Sequence, residues 1–257
     1  MLELIFHAAV RNVRKRHGNA VMGLLLNIVQ TVLLIVVFYT MMTIMGGARS
    51  AIRGDFVLYV MSGVFMFMTH TKTVGAVSGA EGPTSAMMKH APMNTIVAIA
   101  SAALSALYLQ MLSLSVVLYV YHVAFTPITI HEPIGALGIV ILSWASGVGI
   151  GMLIMAVKPW APDFFGLVVQ IYMRANMIAS GKMFVANMMP GHILAWFFWN
   201  PLFHIIDQGR GYIFLNYHPH YTNLTYPIVI TGAFIVLGLM GEHFTRKHIS
   251  ASWTAKQ

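Results

Sequence analysis

An all-α integral membrane protein with six crossing helices is the fold class this sequence predicts, and three observations predict it. Of 257 residues, 58% are hydrophobic and only 9% are charged, whereas a soluble domain carries roughly 25% charged residues. No Asp, Glu, Lys or Arg occurs between Lys89 and Glu132. That stretch holds a full span and a turn, because a helix needs about 20 residues to cross a bilayer. The remaining apolar runs have crossing length and are separated by short segments that carry most of the cations.

The first element is a basic amphipathic helix within residues 1–20. Leu2, Ile5, Phe6, Ala9 and Val13 repeat at helical spacing, and Arg11, Arg14, Lys15 and Arg16 supply the charge. Such a segment lies along a membrane surface. It is not a cleavable leader, since the apolar run behind it is too long for one. The predicted spans are Val21–Met45, Phe56–Val77, Thr95–Tyr121, Ile134–Val157, Phe164–Val185 and Tyr226–Gly241. The last is short and the fifth is the least apolar.

Two connections are structured in their own right. Residues 78–94 carry breaks at Gly82-Pro83 and at Pro92. A short helix between them would show Met87 and Met88 on one side, a surface suited to protein contact. Residues 186–225 form the longest connection, yet it is apolar, with Trp196, Phe197, Phe198, Trp199 and Phe203 broken by Asn200-Pro201. Too short and too interrupted to cross, it reads as a re-entrant or interfacial helix pair. No repeat, linker or soluble domain interrupts residues 1–257, which form one transmembrane domain.

Loop cations set the orientation. With both termini cytoplasmic, the inner segments hold Arg11, Arg14, Lys15, Arg16, Lys89, Lys158, Arg246, Lys247 and Lys256, and the outer segments hold Arg49, Arg53 and Arg210. This topology accounts for the net charge of +8 without a nucleic-acid partner. The chain has no cysteine, hence no disulfide or thiolate metal site. There is no G-x-x-x-x-G-K-[ST] motif, so ATP-driven work needs a separate chain. The seven acids are scattered, and His204, His218 and His220 follow no known ligand spacing. A membrane enzyme acting on lipid-linked sugars and an ATP-independent carrier both lose ground on this census.

The remaining three cations, Lys72, Arg174 and Lys182, fall within predicted spans. A charge at bilayer depth costs at least about 2.5–3.5 kcal/mol. If Phe164–Val185 is one helix, Gln170, Gly181 and Lys182 lie about 40°, 20° and 80° from Arg174, on a shared polar face. Three cations without an evident acid partner favour an anionic passenger. Tyr172, Tyr108, Trp144 and Phe184 add ring surfaces for sugars.

Three stretches together resemble the permease subunits of ABC-2 type polysaccharide exporters. They are the basic helix Val10–Asn19 running into Met22-Gly23-Leu24-Leu25; Tyr59–Val64 with the loop ending Met88-Lys89-His90-Ala91-Pro92; and Asn200-Pro201-Leu202-Phe203-His204-Ile205-Ile206-Asp207-Gln208-Gly209-Arg210. The aromatic outer loop, short last span and Arg246-Lys247 tail are most similar to the capsular polysaccharide branch. The sparse charge of residues 78–94 departs from that pattern.

The resemblance implies a permease in the bacterial inner membrane that pairs with a second copy of itself and docks on two ATP-binding subunits. It would bind no cofactor directly, the ATP and magnesium belonging to the ATPase, and would not itself be an enzyme. Its cargo would be a lipid-linked capsular polysaccharide, passed on through a periplasmic adaptor and an outer-membrane channel. Glu81, Gly82, Pro83, Met87, Met88 and Lys89 would couple to the ATPase. The interface helix with Arg11, Arg14, Lys15 and Arg16 would gate substrate. Asn200, Pro201 and Arg210 would form part of the exit. Arg174, Lys182, Gln170, Lys72 and Tyr172 would line the path. O-antigen, a teichoic-type polymer or a small molecule would be the alternative cargo.

Overall fold

The structure, a computed structural model, describes residues 2–15, 20–44, 52–80 and 95–248. Every regular element among the described residues is helical: α1 (Leu2–Lys15), α2 (Ala20–Ile44), α3 (Phe56–Ser78), α4 (Thr95–Ala124), α5 (Pro133–Val157), α6 (Pro162–Ala179), α7 (Gly191–Phe197), α8 (Pro201–Ile213) and α9 (Thr225–His248). Single 3-10 turns at Lys158–Trp160 and Ala186–Met188 follow α5 and precede α7.

Four of these helices are long and apolar enough to cross a membrane: Val21–Ile44, Thr95–Ala124, Pro133–Trp160 and Thr225–His248. The six-span expectation is met to that extent. α3 has 23 residues but carries Thr69, His70, Thr71, Lys72 and Thr73 in one polar run. α6 has 18 residues, about 27 Å of helix, and stops short of the predicted Val185. Large apolar side chains cover the outside, among them Val29, Val32, Val36, Ile141, Val229, Val236 and Met240. A water-exposed monomer rarely shows so much contiguous apolar surface.

α5 organises the bundle, with α3 and α9 packed along it. The main core joins Tyr59–Met68 of α3 to Ile139 of α5, Leu202, Ile205 and Ile206 of α8, and Ile35 and Phe38 of α2. α3 starts on a firm cap: the Asp55 carboxylate accepts from the Val57 N–H at 2.8 Å and from the Tyr121 hydroxyl at 2.6 Å, which ties the end of α4 to the same point. α1 lies across α4 and α2 at the opposite end of the bundle. Leu4, Phe6 and Val10 are exposed and Ala8 is buried, as befits a helix resting at an interface.

The last helix is longer than its apolar run suggested, continuing from Gly241 to His248. Polar contacts carry the extension. The Thr245 hydroxyl donates to the Ala156 carbonyl at 2.7 Å and accepts from the Trp160 indole at 3.1 Å. Trp160 also stacks on Phe244.

Candidate functional site

At the end of the bundle away from α1, two short helices stand where the apolar connection predicted a pair. Asn200 and Pro201 start α8 in the expected way. The Asn200 side-chain oxygen accepts from the Leu202 N–H at 3.0 Å, and Pro201 occupies the first turn. The Asn200 amide also donates to the Asn176 oxygen at 3.0 Å and to the Ala179 carbonyl at 2.8 Å. One side chain thereby caps α8 and holds the end of α6.

α8 is buried on nearly every side, including Asp207 and Arg210. The Arg210 guanidinium donates to the carbonyls of Gly181, Lys182 and Phe184, at 3.1 Å for the first and 2.5 Å for the last. It lies over the Tyr59 ring, 4.2 Å from the centroid. Tyr59 in turn donates to the Met183 carbonyl at 3.0 Å. Asp207 gathers the other side: it accepts from the Ala186 N–H at 3.1 Å, the Tyr217 hydroxyl at 2.5 Å and the Thr222 hydroxyl at 2.8 Å. Burial, and then the facing carboxylate, push the Tyr217 hydroxyl above its usual range, so it remains a donor. His204 donates from Nε2 to the Phe198 carbonyl at 2.7 Å and accepts the Asn223 N–H at Nδ1. Together these residues fix the turn 180–186 and the loop 214–223 onto one helix.

The turn changes one expectation. α6 ends at Ala179, because Gly181 takes φ +69°, a left-handed conformation that closes helices and favours glycine. Lys182 therefore does not continue the polar face of Gln170 and Arg174. Its side chain turns inward, only 3% exposed, with Nζ 3.5 Å from the Phe67 ring centroid and 4.5 Å from that of Phe38. Among the described residues Nζ has no hydrogen-bond partner, and the two ring faces solvate it instead. A Cβ on Gly181 would also lie 2.2 Å from the Phe203 ring. Gly181→Ala is expected to cost about 2 kcal/mol or more, from the left-handed backbone and the overpacking together. A thermal melt of the purified chain checks this; an unshifted midpoint would contradict the turn as built.

Arg174 and Gln170 remain exposed on α6, among Leu167, Ile171 and Ile178. Arg174 stands about 18 Å along the helix from Pro162. Tyr172, expected on the path, instead ties α6 inward. Its hydroxyl is 2.8 Å from His70 Nε2, and His70 Nδ1 is 2.8 Å from the Ser146 hydroxyl. Because Ser146 donates onward to the Ser143 carbonyl at 2.7 Å, it accepts from His70 Nδ1, leaving Nε2 to accept from Tyr172. The chain links α6, α3 and α5.

At the α1 end, Lys72 donates to the Gln30 side-chain oxygen and borders a partly open cavity of about 570 Å³ among α1, α2, α3 and α4. Arg11 lies on the same cavity. On its wall Asn27 donates to the Gln110 oxygen at 2.6 Å and, behind the wall, to the Ser113 hydroxyl at 2.8 Å. Arg14 and Lys15 belong to α1. Arg16, Glu81, Gly82, Pro83, Met87, Met88 and Lys89 lie outside the described residues.

The structure thus separates the path candidates. Lys72 lines the cavity, Lys182 is packed within the bundle, Tyr172 is latched to His70, and Gln170 and Arg174 face outward. Sequence reasoning passed over His70, although a histidine in mid-span is itself a signal. It also passed over Asp207, whose place one turn before Arg210 on α8 was the available hint. No family model matches the chain, and no curated protein matches it.

Proposed function

We propose that the chain is the transmembrane subunit of an ATP-driven exporter that moves a lipid-linked, anionic capsular polysaccharide across the bacterial inner membrane. The observation that carries this reading is Arg174 with Gln170 on a face of α6 that its own copy leaves uncovered. A guanidinium at membrane depth needs water, an acid, main-chain carbonyls or an anionic passenger. α6 carries one acid, Asp163, at its far N-terminal end. Two copies meeting along this face would line one path with two guanidinium groups, which repel unless an anion passes between them. In this reading ATP hydrolysis belongs to two partner subunits, in keeping with a chain that has no G-x-x-x-x-G-K-[ST] motif. Residues 78–94 are the proposed coupling loop, and α7–α8 the proposed re-entrant exit. A teichoic-type polymer, O-antigen or small molecule in the same path is the second reading.

The test is export by the chain co-expressed with its ATPase. Arg174→Ala should reduce surface polymer at least tenfold and accumulate it inside, while the variant still co-purifies with the ATPase. Arg174→Lys should retain part of the export. Full export by stably expressed Arg174→Ala overturns the reading.

A further inference from the structure

We propose that the cavity beneath α1 binds a neutral polyhydroxyl group, a sugar ring or polyol headgroup, through Asn27 and Gln110. The cations on its rim, Arg11 and Lys72, have partners of their own, so what the cavity offers a ligand is its amides. Asn27 and Gln110 both line it and are only 8% and 4% exposed. Asn27 Nδ2 faces the Leu109 carbonyl at 3.4 Å and the Gln110 oxygen at 2.6 Å. A main-chain carbonyl only accepts, which turns the Asn27 nitrogen toward α4 and the Gln110 oxygen toward Asn27. The other half of each amide, Asn27 Oδ1 and Gln110 Nε2, has no hydrogen-bond partner among the described residues. Both atoms keep accessible surface, unlike the sealed Lys182 Nζ and Ser180 Oγ, so they open onto the cavity their residues line. A hydroxyl meets both needs at once, since it accepts from Nε2 and donates to Oδ1. A phosphate or carboxylate cannot donate to Oδ1, and an ammonium cannot accept from Nε2. The pair therefore selects hydroxyl groups over ions of either sign.

The rest of the cavity suits a sugar ring or polyol rather than water alone. Its volume of about 570 Å³ falls among small-ligand pockets, which run about 300–1,000 Å³. It extends along α4 from Ala98 to Gln110, about 18 Å of helix. Ser105 Oγ donates to the Ala102 carbonyl at 2.9 Å and keeps lone pairs for a second hydroxyl. Between these groups Gly23, Leu26, Ala102, Ala106 and Leu109 present apolar side chains or bare backbone. A buried water needs about two to four polar partners, which that stretch of wall lacks. A sugar ring carries hydroxyls on its rim and C–H groups on its faces, so it meets both kinds of wall. The same chemistry comes on a lipid headgroup or on a free sugar. Asn27 lies about 10 Å into α2, a helix long enough to cross a membrane, which puts the amides within reach of a leaflet. The site is built within one copy and uses neither α6 nor an ATPase, so it does not rest on the export reading.

Native mass spectrometry of the full chain, purified in a detergent without a sugar headgroup, tests the site with monoglucosyldiacylglycerol, the parent diacylglycerol and glucose. The glucosyl lipid should bind at least tenfold more tightly than diacylglycerol. Gln110→Met removes Nε2 at similar side-chain length and should weaken the glucosyl lipid at least tenfold. Tyr119→Phe, which removes an exposed hydroxyl from α4 away from the cavity, should not. Ala106→Leu fills the cavity and leaves both amides in place; it should weaken binding as well, which keeps the test sound if Gln110→Met fails to fold. Displacement of the glucosyl lipid by millimolar glucose supports the proposal with free sugar as the source, and retention supports it with a lipid headgroup as the source. Equal binding of the glucosyl lipid and diacylglycerol, or binding indifferent to both cavity variants, leaves the cavity to water and overturns the proposal.

Discussion

Arg210→Ala is expected to leave little folded protein after extraction from the membrane. The guanidinium is fully buried, and its donors go to the carbonyls of Gly181, Lys182 and Phe184. Alanine strands the Lys182 and Phe184 carbonyls, while the Gly181 carbonyl keeps the Phe184 N–H at 3.2 Å, and each stranded buried acceptor costs about 1–3 kcal/mol. The variant also loses the guanidinium packed on Tyr59. A loss of about 3–5 kcal/mol is a large part of the roughly 5–15 kcal/mol that holds a typical domain folded. Arg210→Lys should rescue little, because one ammonium cannot span three carbonyls set by a planar fork. The measurement is the monodisperse fraction in size-exclusion chromatography together with the thermal midpoint. A near-normal melt for Arg210→Lys would mean that charge, rather than geometry, holds the turn. Asp207→Asn should be milder, since an amide oxygen still accepts from Tyr217, Thr222 or the Ala186 N–H.

How far these residues were readable depends on the range of the interaction. Helix ends set by local chemistry were legible. Asp55 before Phe56 and Asn200-Pro201 before Leu202 announce their caps, and α3 and α4 begin at the predicted residues. The apolar pair in 186–225 was legible because runs of seven and thirteen helical residues are too short to cross. What failed was the extension of a local rule past its end. Treating residues 164–185 as one helix put Lys182 beside Arg174, whereas Gly181 reverses the chain and sends the ammonium between Phe38 and Phe67. No window on the sequence holds those two rings, which come from α2 and α3. The same holds for His70, whose partners Ser146 and Tyr172 sit on two other helices. The roles drawn from resemblance, including coupling through residues 81–89, concern partners beyond a single chain.

Gly147→Leu should be as damaging as the loss of Arg210, and for the opposite reason. Ser146-Gly147-Val148-Gly149-Ile150-Gly151 looks like an unremarkable apolar run, yet it sets the spacing of the bundle. A Cβ on Gly147 would lie 2.6 Å from the His70 carbonyl oxygen, and one on Gly151 would lie 2.7 Å from Val77 Cβ. α3 and α5 therefore come within backbone contact over about one turn, the close approach that small residues four apart permit in membranes. Leucine at Gly147 has nowhere to go but through α3, and the strained atom is main chain rather than a movable side-chain tip. Gly147→Ala already requires a shift and should cost about 1–3 kcal/mol. Gly138→Ala, on the same helix with open space around its Cβ, should be neutral or gain about 0.4–1 kcal/mol through the unfolded chain. The pair isolates close approach from helix propensity, since both replace glycine by alanine within α5. Because the crowded carbonyl belongs to His70, the ring that receives Tyr172, pushing α3 away should also loosen α6. Gly147→Ala and Tyr172→Phe should then combine less than additively, a coupling that a double-mutant cycle on thermal stability reads directly. Simple additivity would mean that α3 yields locally and that the His70 link survives the shift.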